Sequence, residues 1–269
     1  MIKLFERDQK ENGRKSSKGN QLKWFSGNRW YKADYTGYEG FSEYVVSELL
    51  RASSLHEQEY VLYQPEEILY KEQHYSGCCS ENMLPDGWQI ITLERLFHNR
   101  FGESLYRAVF LIEGIKERMT FVVQQVERLT GLEGFGPYLA KLMTVDALFL
   151  NEDRHMHNIA LLQDSVGKYH LCPMFDHGAA LLSDTHIDYP MTGDIYRLAQ
   201  QVKAKTFSDS FDEQLDAAEE LYGQQISFYF THQKVEEVIG KDIIYPAEVH
   251  QRVQSLVFEG MRKYPYLFG

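Results

Sequence analysis

The segment from Asn151 to Gly178 constrains this chain more than any other. It holds Asn151-Glu152-Asp153-Arg154-His155-Met156-His157-Asn158, an apolar run from Ile159 to Leu162, and Phe175-Asp176-His177-Gly178. Asp153 and Asn158 stand in the order D-x4-N, and Asp176 follows beyond a stretch that reads as a hairpin. Ile159-Ala160-Leu161-Leu162 predicts a short buried strand, Gln163 to Lys168 holds turn formers, and Tyr169-His170-Leu171-Cys172 predicts the return strand. Pro173 has no N–H to give to a ladder, so the return strand ends there. Such a hairpin carries Asp176 back toward Asn158. The plain alternative is two unrelated polar loops in which the aspartates serve only as caps and turns.

Phosphoryl transfer from ATP asks little covalent chemistry of a protein. It needs a carboxylate to orient the attacking hydroxyl and take its proton, and oxygen ligands to hold Mg²⁺ against the phosphates. Asp153, Asn158 and Asp176 can meet that need from two loops joined by one hairpin. The order matches the catalytic loop of protein kinases, although its His-Arg-Asp reads Asn151-Glu152-Asp153 here and its Asp-Phe-Gly reads Asp176-His177-Gly178.

Asp153-Arg154-His155-x-x-Asn158 and Phe175-Asp176-x-Gly178, followed by Ala179-Ala180-Leu181-Leu182, resemble the HipA-like kinases. These form a branch of the protein-kinase and phosphatidylinositol-kinase-like fold. Within that branch the chain is most similar to the short bacterial HipA-related serine/threonine kinases. The resemblance is specific over about residues 140–182, weaker in the first hundred and thin after about residue 200. It implies an α+β, bilobal fold with a small β-rich N-lobe and a larger helical C-lobe. It also implies Asp153 as catalytic base, with Asn158 and Asp176 as Mg²⁺ ligands.

A kinase of this kind needs a strand lysine for phosphate charge and a helical glutamate to hold it. Trp30-Tyr31-Lys32-Ala33 predicts a strand with Trp30 and Lys32 on one face. Phe41, Val45 and Leu49, with Val46 and Leu50 beside them, predict the helix that follows. Glu43 and Glu48 both lie close to that stripe; the resemblance, which puts a Glu-Tyr pair early in this helix, implies Glu43 as the partner of Lys32 in the ATP site, with Glu48 in reserve, and a solvated Lys–Glu pair is the ordinary alternative. Arg14-Lys15-Ser16-Ser17-Lys18-Gly19-Asn20 suits either a flap whose N–H groups close over phosphates or a frayed basic arm. Ser16 and Ser17 stand where related kinases can carry an autophosphorylated serine. Trp88 to Leu93 predicts a strand running into Glu94-Arg95-Leu96-Phe97, which resembles the segment that meets adenine in HipA-like proteins. Glu94 and Leu96 are the adenine-side candidates, and Glu94 also fits as the first-turn acid of a helix.

Two lobes are expected, residues 1–95 with the phosphate-binding strands and the Glu helix, and residues 96–269 with the catalytic loop and metal-binding hairpin. Helical patterns run from Leu105 to Leu129, Tyr138 to Leu150, Ser210 to Tyr222, Lys234 to Ile239 and Pro246 to Tyr264. The chain has 269 residues, enough for two small lobes. With 43% hydrophobic residues, 16 Phe and 18 Tyr, it is globular. The net charge of −11 argues against a nucleic-acid partner and against a phosphoinositide surface. No apolar run reaches membrane-spanning length, and Met1 to Arg7 lacks a signal-peptide core. Three cysteines, two adjacent at Cys78-Cys79, give no disulfide framework and no zinc spacing. Cytoplasmic residence is the default expectation, compatible with signal-independent secretion.

The combined expectation is an ATP- and Mg²⁺-dependent kinase acting on Ser or Thr of a protein, with any regulatory partner unspecified. Three rivals remain. His155 and His157 with Asp176 can serve Zn²⁺ or Mn²⁺ in a phosphodiesterase or hydrolase. A lipid or small-molecule kinase of the same fold is the second, and a nucleotide-binding pseudokinase the third.

Overall fold

The computed structural model describes residues 1–10 and 21–269; Arg14 to Asn20, with Ser16 and Ser17, fall outside the described residues. In chain order the elements are β1 (Ile2–Lys3), β2 (Lys23–Ser26), β3 (Arg29–Ala33), α1 (Glu39–Leu50), β4 (Tyr63–Tyr70), β5 (Gln73–Glu81), β6 (Gln89–Thr92), α2 (Leu93–Phe101), α3 (Leu105–Phe110), α4 (Ile115–Thr130) and α5 (Phe135–Phe149). There follow β7 (Ala160–Gln163), β8 (Tyr169–Leu171), α6 (Ile195–Gln201), α7 (Phe211–Tyr222), α8 (His232–Gly240) and α9 (Ala247–Lys263). The fold is therefore α+β, as expected. Two compact units emerge: Met1–Met83 with Phe175–Val202 and Phe228–Gly269, and Leu84–Met174 with Lys203–Ser227.

In the first unit, five strands form a sheet in the order β1-β4-β5-β3-β2. Gly27 and Asn28, both at positive φ, supply the two-residue turn between β2 and β3. Alternation along β3 sends Tyr31 and Ala33 into a core with Leu4, Trp24, Ile68, Tyr70 and Cys79. Lys32 is thereby committed to the opposite face. The β4–β5 hairpin turns at Lys71 (φ 50) and Glu72 (φ 62), a left-handed pair without glycine. Eight paired positions, Tyr63 to Tyr70 against Ser80 to Gln73, offset that strain.

α1 lies on this sheet by backbone contact. A Cβ at Gly40 would overlap the backbone of Gly77 on β5, and one at Gly77 would overlap the Lys32 carbonyl. Close approach brings the first turn of α1 onto the strands beside Lys32. Phe41, Val45, Val46, Leu49 and Leu50 are all buried. The buried hydroxyl of Ser42 donates to His177 O at 3.0 Å and Ala180 O at 2.9 Å.

In the second unit, β6, β7 and β8 form a sheet in that order. The expected hairpin is present, with Leu161 opposite Leu171 and Gln163 opposite Tyr169. α5 is buried along nearly its whole length and packs against α7. Two helix boundaries differ from the sequence pattern. The run from Leu105 to Leu129 is broken between Phe110 and Ile115, where Gly114 takes φ 86 and Glu117 packs against it. Phe135-Gly136-Pro137 is not a break but the first turn of α5, where proline's missing N–H has no partner to lose. α6, capped by Asp194 Oδ1 accepting from Arg197 N at 2.9 Å, lies outside the expected helices.

Asp34, just after β3, accepts from Gly40 N at 2.6 Å and from the Tyr245 hydroxyl at 2.7 Å. Burial, with Glu39 nearby, pushes its pKa up to about 8 despite those hydrogen bonds. Between the unfolded carboxylate value and about 8 the folded chain thus holds a proton that the unfolded chain does not. The associated stability is fully present at low pH and is lost as pH rises through that window. Denaturant midpoints for wild type should fall from pH 6 to pH 9 more steeply than for Asp34→Asn, which mimics the protonated carboxyl. Parallel profiles would show that Asp34 titrates normally.

Candidate functional site

Lys32, Glu43 and Asp176 form a charged cluster inside the first unit. Lys32 Nζ stands 2.5 Å from Glu43 Oε1 and 2.8 Å from Asp176 Oδ1. Glu43 Oε2 accepts from the backbone N–H of His177 at 2.8 Å, which ties α1 to the residue after Asp176. Tyr63 lays its ring 5.1 Å from the ammonium. Glu48, the reserve candidate, meets Arg51 at 3.3 Å instead.

One ammonium faces two carboxylates here. Burial opposes the Lys32 charge, but Asp176 and Glu43 outweigh it and hold the ammonium well above its ordinary pKa. Burial pushes Glu43 upward, against the pull of Lys32. Asp176 sits at φ 63, a left-handed conformation that costs an aspartate energy and re-aims its carboxylate. The following Gly178 lies against Glu39 and Glu43, and Ser183 Oγ donates to its carbonyl at 2.5 Å.

Lys23 was not singled out by sequence pattern. It lies directly opposite Lys32 in the β2–β3 ladder, so both lysines share one face. Burial pushes its pKa down, with Asp176 pulling it back up.

Asp153 and Asn158 meet in the second unit. Asn158 Nδ2 donates to the Asp153 carbonyl at 2.8 Å and to its Oδ2 at 3.3 Å. Those contacts make Oδ1 the end of the amide that can accept or ligate. Backbone turns close the loop, from His155 N to Asp153 O at 2.9 Å and from Asn158 N to His155 O at 2.7 Å.

A buried ion pair anchors this loop to α5. Arg154, 2% exposed, sets Nε 3.0 Å from Asp146 Oδ2 and Nη2 3.1 Å from Asp146 Oδ1, and its Nη1 donates to Asn158 O at 3.1 Å. Asn151 Nδ2 donates to Asp146 Oδ1 at 2.8 Å, and Thr206 Oγ1 donates to the Arg154 carbonyl. Arg154 is thus paired with a carboxylate. Asp146 itself carried no sequence signal beyond being an acid within an apolar helix.

Glu94 and Leu96 lie in the first turn of α2, in the second unit. The Glu94 carboxylate accepts from Tyr106 N at 3.0 Å, and its own N–H donates to Met156 O at 3.1 Å. Its side chain thus works as a helix cap for α3. His155 Nε2 stands 3.7 Å from Asp153 Oδ1, and His157, exposed, meets the His155 ring edge-on at 5.6 Å. Among the described residues no group of three His, Cys, Asp or Glu is placed to hold a metal ion, and no helix is long and apolar enough to cross a membrane.

No family model matches the chain, and no curated protein matches its sequence. Its fold is similar to that of the Helicobacter pylori proinflammatory kinase CtkA, with a TM-score of 0.62 at 15% identity, over 99% of this chain and 95% of that one. HipA in a Shewanella oneidensis MR-1 complex with HipB and operator DNA gives a TM-score of 0.43 at 12% identity, over 95% of this chain and 62% of that one. The chain therefore has the kinase-like fold that the HipA-like resemblance implied.

Proposed function

We propose that this chain is an ATP- and Mg²⁺-dependent phosphotransferase whose acceptor is a serine or threonine hydroxyl of a protein. The observation that carries the reading is the Lys32–Glu43–Asp176 cluster, in which strand, helix and post-hairpin residues meet in the order a kinase needs. The likeness in fold to a Helicobacter pylori kinase supports it. In this reading residues 1–95 form the phosphate-binding lobe and residues 96–269 the lobe of the catalytic loop.

Lys32 would contact the α- and β-phosphates, with Glu43 fixing its position. Asp153 would hydrogen-bond the acceptor hydroxyl and take its proton as the new O–P bond forms and the bond to the leaving diphosphate breaks. Asn158 and Asp176 present the hard oxygen donors that suit Mg²⁺, and when bound the ion would neutralise charge on the phosphates. Since the Glu94 carboxylate caps α3, adenine contact at Glu94 and Leu96 would be a matter of shape and backbone. A cytoplasmic site of action belongs to the same proposal, and the net charge of −11 supports its having neither a nucleic-acid nor a phosphoinositide-membrane partner.

Mg-ATP at about 100 times its dissociation constant should stabilise the fold by roughly 2.7 kcal/mol. For a chain of this size that raises Tm by roughly 5–10 °C. The absence of any shift with nucleoside triphosphates and Mg²⁺ or Mn²⁺ would count against a nucleotide site. A larger shift with Zn²⁺ alone would favour the hydrolase built on His155 and His157. Labelled ATP then identifies the acceptor class, and label on a phosphoinositide or small molecule alone would replace the protein acceptor.

A further inference from the structure

We infer that the C-terminal helix pair α8–α9 is a positioning device for Glu43, acting through Tyr245 and Asp34. Asp34 is the knot. Its backbone N–H donates to Ser76 O at 2.8 Å, which pins the end of β3 to β5 just past Lys32. Its Oδ1 takes Gly40 N at 2.6 Å, one helical turn before Glu43. Its Oδ2 takes the Tyr245 hydroxyl at 2.7 Å. One carboxylate thus joins the strand of Lys32, the helix of Glu43 and the connection between α8 and α9.

Tyr245 is itself fixed. Its N–H donates to Asp242 Oδ2 at 2.9 Å, and His250 Nε2 meets the same oxygen at 2.7 Å. Phe41 of α1 packs its ring 5.0 Å from Tyr245 and 5.1 Å from His250. One turn further along α1, the Tyr44 hydroxyl donates to Val238 O of α8 at 3.0 Å.

A second brace starts on α9. Arg252 Nε donates to the Tyr38 hydroxyl at 3.0 Å, and Nη2 to Tyr189 O at 2.9 Å. The Tyr38 hydroxyl in turn donates to Leu181 O at 2.6 Å. α1 is thus clamped at its first turn by groups supplied from far along the chain. A 2.5 Å contact between Lys32 and Glu43 tolerates little sliding of α1 along the sheet, so the clamp sets that contact. Tyr245 and Asp34 are positioning residues, not catalytic ones.

The positioning stands on its own; its consequence for phosphate transfer rests on the function proposed above. Two measurements need no activity. Tyr245→Phe keeps the ring and removes the hydroxyl, and a lost hydrogen bond of ordinary net strength corresponds to about fivefold in an opening equilibrium. Amide exchange in the first two turns of α1 should accelerate by about that factor, and acetic anhydride should modify Lys32 correspondingly faster. Asp34→Asn, which still bridges Gly40 and Tyr245, should stay near wild type. Asp34→Ser, which breaks the bridge from the other end, replaces Tyr245→Phe if that variant does not fold. Unchanged exchange and Lys32 labelling in a folded bridge-breaking variant would overturn the inference.

The link to transfer is read by a double-mutant cycle with Glu43→Gln. Tyr245→Phe should lower kcat about fivefold with little change in nucleotide affinity, and should have no further effect once Glu43 is gone. Effects that multiply independently would show that Tyr245 does not act through Glu43. A wild-type chain that transfers no phosphate would sink the proposed function instead, leaving exchange and labelling to decide the clamp.

Discussion

Replacing Asp153 by asparagine is expected to reduce phosphate transfer by at least about a hundredfold, the lower range for loss of a positioned base, while Mg-nucleotide binding stays near wild type. An asparagine keeps an oxygen that can accept from Asn158 Nδ2, so the loop of Asn151 to Asn158 should retain its shape. The capacity to take the hydroxyl proton is removed, together with the carboxylate's charge. Asp176→Ala should behave differently, because it strips Lys32 of one of its two carboxylates and removes a proposed metal ligand. Metal-dependent nucleotide binding should weaken along with transfer. Titration calorimetry with a non-hydrolysable ATP analogue, beside a labelled-ATP transfer assay, separates the two effects. Wild-type turnover in Asp153→Asn would remove Asp153 from the catalytic role. Equal loss of binding in both variants would mean that Asp153 also acts in the ground state.

The residues that carry the proposed chemistry are legible because each stands on, or in a loop beside, an element with a strong local signature. Lys32 could be assigned a face since Tyr31 and Ala33 alternate with it into the Trp24 core. The β7–β8 hairpin is readable from two apolar runs around a polar turn. Lys71-Glu72 announced nothing: tertiary pairing along β4 and β5 imposes a turn that those residues do not favour locally. The supports of the site were hidden for the same reason. Asp146 meets Arg154, and Asp34 meets Tyr245, across distances in sequence that no periodicity registers. A polar residue in an apolar helix was the one available hint, and it names no partner. Glu94 shows the converse, a motif residue whose carboxylate the fold spends on capping α3.

Asp146→Ala is expected to produce the largest loss of stability of any single change around the catalytic loop. Asp146 is 1% exposed and Arg154 2%, so the guanidinium left behind has no water to replace its partner. Breaking such a buried pair from one side costs about 3–5 kcal/mol, a fall in Tm of roughly 10 °C for a chain of this length. Asn151 also loses the acceptor of its side-chain amide, and Arg154 is no longer held where Nη1 reaches Asn158 O. Adding Arg154→Met should recover most of the stability, because an apolar side chain of similar length fills the space without a charge to satisfy. It should not recover transfer, since methionine cannot donate to the Asn158 carbonyl or hold the loop that carries Asp153. Thermal unfolding of the two single variants and the double variant, with transfer measured on each, tests both halves. If the double variant remained as unstable as Asp146→Ala, the cost would lie in lost packing of α5 and not in a stranded charge. If it regained transfer with its stability, the ion pair would serve the fold alone and leave the geometry of Asp153 and Asn158 to the backbone turns that close their loop.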